Sequence, residues 1–476
     1  MNLAKLLLFA SSLALLGCKN RNISVTELSI DMPLHWSVQT SETNTVSEVS
    51  WWEQFNEVKL TALIEEALKN NTDLKVSAKR LELAYVQAKI TGYSSRPQLD
   101  VSVGGDKRKS NFIGLPFGGG EVMSSRAESY SLNFGTSWEL DLWGRIKSGQ
   151  NNAQLSASAN RLEHLAARQS LAAQVVKGWL ALCEVRTQKS LAKERIVLSE
   201  TALKQIELRY GLGRTSALDL RLAKSNLHDA RARLRRLMVS ETQFERGLEI
   251  ILGRYPSGQL KEAKVLPSPS NNVPAGIPAQ LLARRLDIAA SVLRVRAADA
   301  LVAEGKAGLL PRVSLTGSSG TSSNELKSLI NGDFLTWSFG GSLAQTILLR
   351  DERNVRVHER ELMTEEAVLN HRSVVMTAFE EVERALSKNV HLSEYRKQLN
   401  TVAEGTSDIL VLARGRYENG TGSLKELMEA QNRSVESRAQ LVAAQRQELE
   451  NRVDLHLSLG GGFDLKEAEN EASTSD

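Results

Sequence analysis

Between residues 146 and 210 the chain has no proline, and apolar residues recur at helical spacing with only Gly149 and Gly178 interrupting. That predicts one helix of ~65 residues, ~98 Å long at 1.5 Å per residue, which no globular domain buries. A second helix is predicted from Ser216 to about Leu252, stopped by LGRYP at 252–256. Upstream, Leu60, Leu63, Ile64, Ala67 and Leu68 mark one helical face, KNNTD at 69–73 breaks it, and another helix runs from about Asp73 to Ser95 before Pro97. Past Pro97 the period becomes two. Leu99, Val101 and Val103 open a strand that leads into a Gly-rich polar stretch, 104–120. On the return, Tyr130, Leu132, Phe134, Trp138, Leu140 and Leu142 share one face, and Ser131, Asn133, Ser137, Glu139 and Asp141 the other. Such alternation fits a transmembrane barrel strand and also a surface hairpin on a soluble core.

The second half replays the first. RYGLGRTSALDL at 209–220 and RYENGTGSLKEL at 416–427 align at an offset of 207, and each reads as a helical turn-around. Gly supplies the reversal, Ser216 or Ser423 opens the next helix, and Glu426 completes a capping box with Ser423. Asp287 to Pro311 repeats the spacing of Asp73 to Pro97. Val313 and Leu315 begin a strand, 318–333 reads as its polar loop, and Leu335, Trp337, Phe339 and Leu343 alternate on the return. A long helix from about Ile347 to Tyr417 and a shorter one from Ser423 to Leu459 follow. Helix lengths place two short helices end to end beside each long one, a rod with strands at one end and turns at the other. Each half contributes two strands. Four cannot close a membrane barrel, so the protomer is expected to oligomerise, and three chains supply twelve strands.

The N-terminus changes the picture. Lys5 precedes an apolar run, Leu6 to Leu16, too short to span a bilayer, which reads as a secretory signal over 1–17. It ends in LLGC, 15–18, which resembles the bacterial lipobox and implies acylation of Cys18. Lys19 stands where inner-membrane lipoproteins carry Asp, which implies the outer membrane. Cys183, the other cysteine, reads as a small apolar packing residue. With no other long apolar run, any membrane crossing is expected to use strands. The remaining divisions are a lipid-anchored tether over 18–56, a first repeat over 57–255, a Pro-rich linker over 256–278, a second repeat over 279–460 and a polar tail over 461–476.

A net charge of +4 and 5% aromatic residues give no sign of nucleic acid. HExxH, P-loop, GxSxG and CxxC motifs are absent, and the seven histidines are scattered, with His358, His371 and His391 read as solvent-facing helix positions. The expectation is no enzyme, no cofactor and no metal site.

SWELDLWGR at 137–145, LLARRLDI at 281–288, PRVSLTG at 311–317 and both RYxxG tips together resemble the TolC-like outer membrane efflux proteins, most of all their NodT-type lipoprotein branch. Leu286, where the branch usually has Pro, and ILLRDER at 347–353, without the usual Gly pair, are departures. The resemblance implies an α+β fold: a homotrimer with a twelve-stranded outer membrane β-barrel, four strands per protomer, continued by a periplasmic α-helical barrel. It implies the exit duct of a tripartite pump for drugs or other small toxic solutes, docked to a periplasmic adaptor and an inner membrane transporter. Heavy-metal efflux and type I protein secretion remain alternatives, and a periplasmic adaptor a more distant one. Adaptor contact is expected at Tyr210, Gly213, Thr215, Ser216, Tyr417, Gly420 and Ser423. A periplasmic gate is expected at Glu426 and Glu429, with Asp219 nearby.

Overall fold

The computed structural model describes residues 36–37, 51–112, 123–260, 265–267, 284–346 and 350–461. The signal segment, Cys18, most of the tether and linker, and the tail beyond 461 lie outside the described residues. After a 3-10 turn, Trp51–Phe55, come α1 (Val58–Asn70), α2 (Thr72–Tyr93), β1 (Gln98–Phe112), β2 (Met123–Leu140), α3 (Arg145–Gly211) and α4 (Ala217–Ile251). The second repeat gives α5 (Leu286–Ala307), β3 (Arg312–Ser323), β4 (Leu335–Ala344), α6 (Arg350–Glu418) and α7 (Leu424–Ser458). Helices α3 and α6 have 67 and 69 residues.

The chain divides into two compact units, and neither coincides with a repeat. One takes 81–160 and 291–371, the other 30–80, 161–290 and 372–476.

In the first unit the four strands form one antiparallel sheet in the order β1-β2-β3-β4. Alternation and register place Leu99, Val101 and Val103 on the same face as Tyr130, Leu132, Phe134, Trp138 and Leu140, then Val313 and Leu315, then Leu335, Trp337, Phe339 and Leu343. This face is open: Trp337 is 77% and Phe339 75% exposed. The other face carries Asp100, Ser102, Asn133, Ser137, Ser314, Thr316, Ser318, Ser338 and Ser342. Three expectations are corrected. β1 continues into the Gly-rich stretch as far as Phe112, because Gly104 and Gly105 pair with Ser131 and Tyr130 and the ladder needs only backbone groups. β3 likewise takes 318–323 from the expected loop, while Leu142 lies past the end of β2.

The second unit shows the repeat as chemistry. Gly253 and Gly460 both adopt positive φ, and each ends a helix with the same pair of bonds: Arg254 N to Glu249 O with Gly253 N to Ile250 O, and Gly461 N to His456 O with Gly460 N to Leu457 O. Both sit so close to backbone that a Cβ would lie 2.6 Å from Asn70 O in one case and 3.1 Å from Arg284 O in the other. The residue after each neighbour caps a carbonyl of the same helix end: Asn71 Nδ2 donates to Ile251 O at 2.8 Å, and Arg285 Nη1 to Ser458 O at 3.2 Å. Asn71 and Arg285 are repeat equivalents, so one fold position is held by two different side chains.

The described residues of the N-terminal segment include buried aromatic anchors. Trp36 is buried edge-on against Phe379. Trp51, Trp52 and Phe55 enter a core with Leu60, Ile64, Trp179, Leu180, Leu248 and Val453, where Cys183 is also buried. The start of the linker is fixed too: Glu249 accepts bonds from Ser257 Oγ and the Gly258 and Gln259 amides, and Leu260 is buried. His371, expected at a solvent face, is buried and bonded to Ser291 Oγ at 2.7 Å, because α5 covers that side of α6; His358 and His391 are exposed.

His456 stacks on Trp51 with ring centroids 5.6 Å apart, and neither ring nitrogen has a hydrogen-bond partner among the described residues. Burial, with the Arg452 charge adding to it, pushes its pKa down to about 3. An unfolded histidine titrates near ~6.5, so between that pH and about 3 the unfolded chain binds a proton that the folded chain refuses. Stability is therefore expected to fall as pH drops through this window, by up to ~1.4 kcal/mol per pH unit from this one group. His456→Leu is expected to flatten the pH dependence of the urea midpoint between pH 6.5 and 4; an unchanged slope would contradict the assignment.

Candidate functional site

The two turn-arounds lie in the second unit and share one hydrophobic core of Ile206, Ala223, Tyr417, Leu424 and Leu427, with Leu203, Leu220, Leu410 and Met428 at its edge. Each begins with the same helix stop. Gly213, at φ 68°, and Gly420, at φ 73°, let Arg214 N reach Arg209 O and Thr421 N reach Arg416 O. A Cβ at either glycine would meet nothing within 4 Å, so both positions face open space.

The helix starts differ from expectation. The reciprocal capping box forms in the first repeat: Ser216 Oγ accepts from Asp219 N at 3.1 Å, and Asp219 Oδ2 accepts from Ser216 N at 3.3 Å. Ser216 Oγ and Thr215 Oγ1 also donate to that carboxylate, at 2.8 and 2.9 Å, and hold its pKa below the usual range. In the second repeat only half the box exists, Ser423 Oγ accepting from Glu426 N at 3.2 Å. Thr215 explains the contrast, because its repeat equivalent, Gly422, has no hydroxyl to draw a carboxylate back over the helix start.

The three gate residues thus separate. Asp219 is tied into its cap. Glu426 and Glu429 lie exposed on the side of α7 opposite Leu424, Leu427 and Ala430. The Glu426 carboxylate accepts no hydrogen bond among the described residues, and Glu429 meets only Lys425, at 4.0 Å between exposed groups, which contributes little. Two carboxylates one helical turn apart remain available to solvent ions.

The contact residues separate as well. Tyr210, Gly213, Ser216, Gly420 and Ser423 are exposed, and Thr215 is half-buried. Tyr417 is corrected: at 4% exposure it belongs to the tip core, and the Arg209 guanidinium lies 4.6 Å from its ring centroid. The tip is closed by the Arg of one repeat resting on the Tyr of the other.

Two exposed leucines escaped the sequence reading, beside Leu222, which replaces in the first repeat the second acid of the other. Leu212 and Leu218 are 62% and 65% exposed, and Leu222 is exposed beside them. Their repeat equivalents are Asn419, Lys425 and Glu429, so the same backbone accepts polar residues at all three places. The fold does not require leucine there. Aligning the repeats at the offset of 207 and comparing polarity position by position would have found them.

Comparison with known proteins places this geometry. The sequence model described as outer membrane efflux protein matches residues 63–254 and 277–461. The chain is 29% identical over 421 residues to the outer membrane protein OprJ of Pseudomonas aeruginosa, covering 88% of this chain and 87% of that one. It is 28% identical over 420 residues to the solvent efflux pump outer membrane protein SrpC of Pseudomonas putida, covering 87% and 88%. The structure is similar to the outer membrane channel CmeC of Campylobacter jejuni, with a TM-score of 0.86 over 96% of each chain at 23% identity, a likeness that speaks to the fold alone.

Proposed function

The chain belongs to the outer membrane efflux protein family, and from that premise we propose that it is the exit duct of a tripartite efflux pump for drugs or other small toxic solutes. The observation that carries the proposal is the sheet. Its apolar face is open, its opposite face is polar, and the outer edges of β1 and β4 pair with nothing among the described residues. In a bilayer every backbone N–H and C=O needs a partner, which a sheet achieves only by closing. Three copies close twelve strands with the apolar face toward lipid and the serine-rich face toward a water-filled lumen. The helical barrel continues this lumen into the periplasm, and the solute passes without a bond being made or broken.

In the closed trimer, Glu426 and Glu429 of three protomers form the periplasmic gate. Six carboxylates around one axis concentrate cations there. Conductance of the purified trimer in a planar bilayer tests both levels of the proposal. No ion-conducting trimer would sink the duct. Glu426→Gln with Glu429→Gln is expected to weaken cation selectivity and block by trivalent cations, and unchanged selectivity and block would remove these residues from the gate.

The tips form the docking surface for a periplasmic adaptor, itself coupled to an inner membrane transporter. Gly213, Ser216, Gly420 and Ser423 carry little side chain and let another helical end approach, while Tyr210, Leu212 and Leu218 offer apolar area. Thr215→Tyr and Leu218→Lys are each expected to cut solute export in cells at least tenfold with trimer and conductance intact; wild-type export in both would dismiss the docking role.

Cys18 is the lipid attachment point, placing the mature N-terminus at the outer membrane. Metabolic labelling with a radioactive fatty acid should mark the wild-type chain and not Cys18→Ser, and an unlabelled wild-type chain rules this out.

A further inference from the structure

The hairpin β1–β2 reaches beyond the apolar band, and only some of its charges there are paired off. Register sets Lys107 opposite Glu128, with which it forms an ion pair, and Lys109 directly opposite Arg126. Like charges facing each other across a ladder are destabilising, and neither Lys109 nor Arg126 has an ion-pair partner among the described residues. Alternation puts Lys107, Lys109 and Arg126 on the face of Leu99, Val101, Val103, Tyr130 and Leu132, whereas Arg108 points to the polar face.

Depth gives this cluster a meaning. From Leu140 to Tyr130 the strand rises ~33 Å, and at a tilt of ~40° that spans ~25 Å along the membrane normal, the height of the apolar band of an outer membrane barrel. Tyr130 then stands at the interface, where aromatic residues collect. Lys107 follows ~5 Å further out and the Lys109–Arg126 pair ~10 Å further out, at headgroup depth. β1 and β2 meet the helices at Gln98 and Leu140, so the cluster is at the end of the hairpin away from them. With the helices in the periplasm, that end faces the outer leaflet.

We infer that Lys109 and Arg126, next to the Lys107–Glu128 ion pair, form a lateral binding site for the phosphate groups of an outer-leaflet lipid. This rests on the outer membrane duct proposed above. A phosphate between the two cations turns their mutual repulsion into two charge-assisted contacts, and the arginine fork suits a phosphate's paired oxygens. In a trimer the site occurs three times around the barrel.

The test uses the full-length protein purified in detergent, with native mass spectrometry and titration reporting bound diphosphorylated lipid A, its dephosphorylated form and inorganic phosphate. Wild-type protein is expected to prefer diphosphorylated over dephosphorylated lipid A at least tenfold. Lys109→Ser with Arg126→Ser should abolish that preference, while Arg108→Ser, on the opposite face, keeps it. Inorganic phosphate at millimolar concentration should not displace the lipid; displacement would assign the site to the free anion and overturn the lipid claim. Equal binding of both lipids by the wild type, an unchanged preference in the double variant, or the same loss in Arg108→Ser would each overturn the inference. If the double variant fails to form trimers, the wild-type preference and the single variant Lys109→Ser decide. Wild-type conductance without added lipid A separates the two readings, since a conducting trimer that ignores lipid phosphate defeats this inference alone.

Discussion

The controlling constraint is that a backbone hydrogen-bonding group cannot be left unpaired in hydrocarbon. Four strands satisfy one another only in the middle of the sheet, and among the described residues the outer sides of β1 and β4 have no partner strand. The open apolar face makes water a poor solvent for this sheet, and the open edges make lipid a poor solvent for one copy of it. In the trimer proposed above, closure with further copies would reconcile the two, and membrane insertion and assembly would be one problem. The internal repeat delivers the strands in pairs, β1 with β2 and β3 with β4.

The helical part obeys a different constraint. Helices of 67 and 69 residues must bury a narrow stripe along their length, and their buried positions fall into several separate cores. The ends of α4 and α7 are held by the same device twice, a positive-φ glycine against a neighbouring backbone and a side chain over a terminal carbonyl. Because backbone geometry does most of this holding, side chains at equivalent places have been free to diverge. Asn71 and Arg285 do one job with different chemistry. Asp219 is locked where Glu426 is free, and Leu218 is apolar where Lys425 is charged. The two tips are one backbone carrying two surfaces.

The sequence by itself determined what depends on local periodicity. Proline-free helical spacing marked the long helices to within a few residues, alternation assigned the strand faces, and the doubled RYxxG turn exposed the repeat together with the glycines that need positive φ. These are properties of a chain segment and its backbone, readable without knowing the neighbours. The polar ladder of β1 past Gly104 was not legible, since a strand paired through its backbone leaves no hydrophobic signature.

What only the tertiary structure decided is burial, because burial depends on what arrives from elsewhere in the chain. Tyr210 and Tyr417 follow the same Arg in the same turn, yet Tyr417 is covered by Ile206, Ala223 and Leu424 from three helices while Tyr210 stays exposed. His371 is buried because α5 covers it, and Trp36 and Trp51 are buried because α6 and α7 offer them a site. Asp219 is held in its cap by the hydroxyls of Ser216 and Thr215, the second of which has no counterpart in the other repeat. Periodicity states which face can be buried; packing between distant segments selects which residues are.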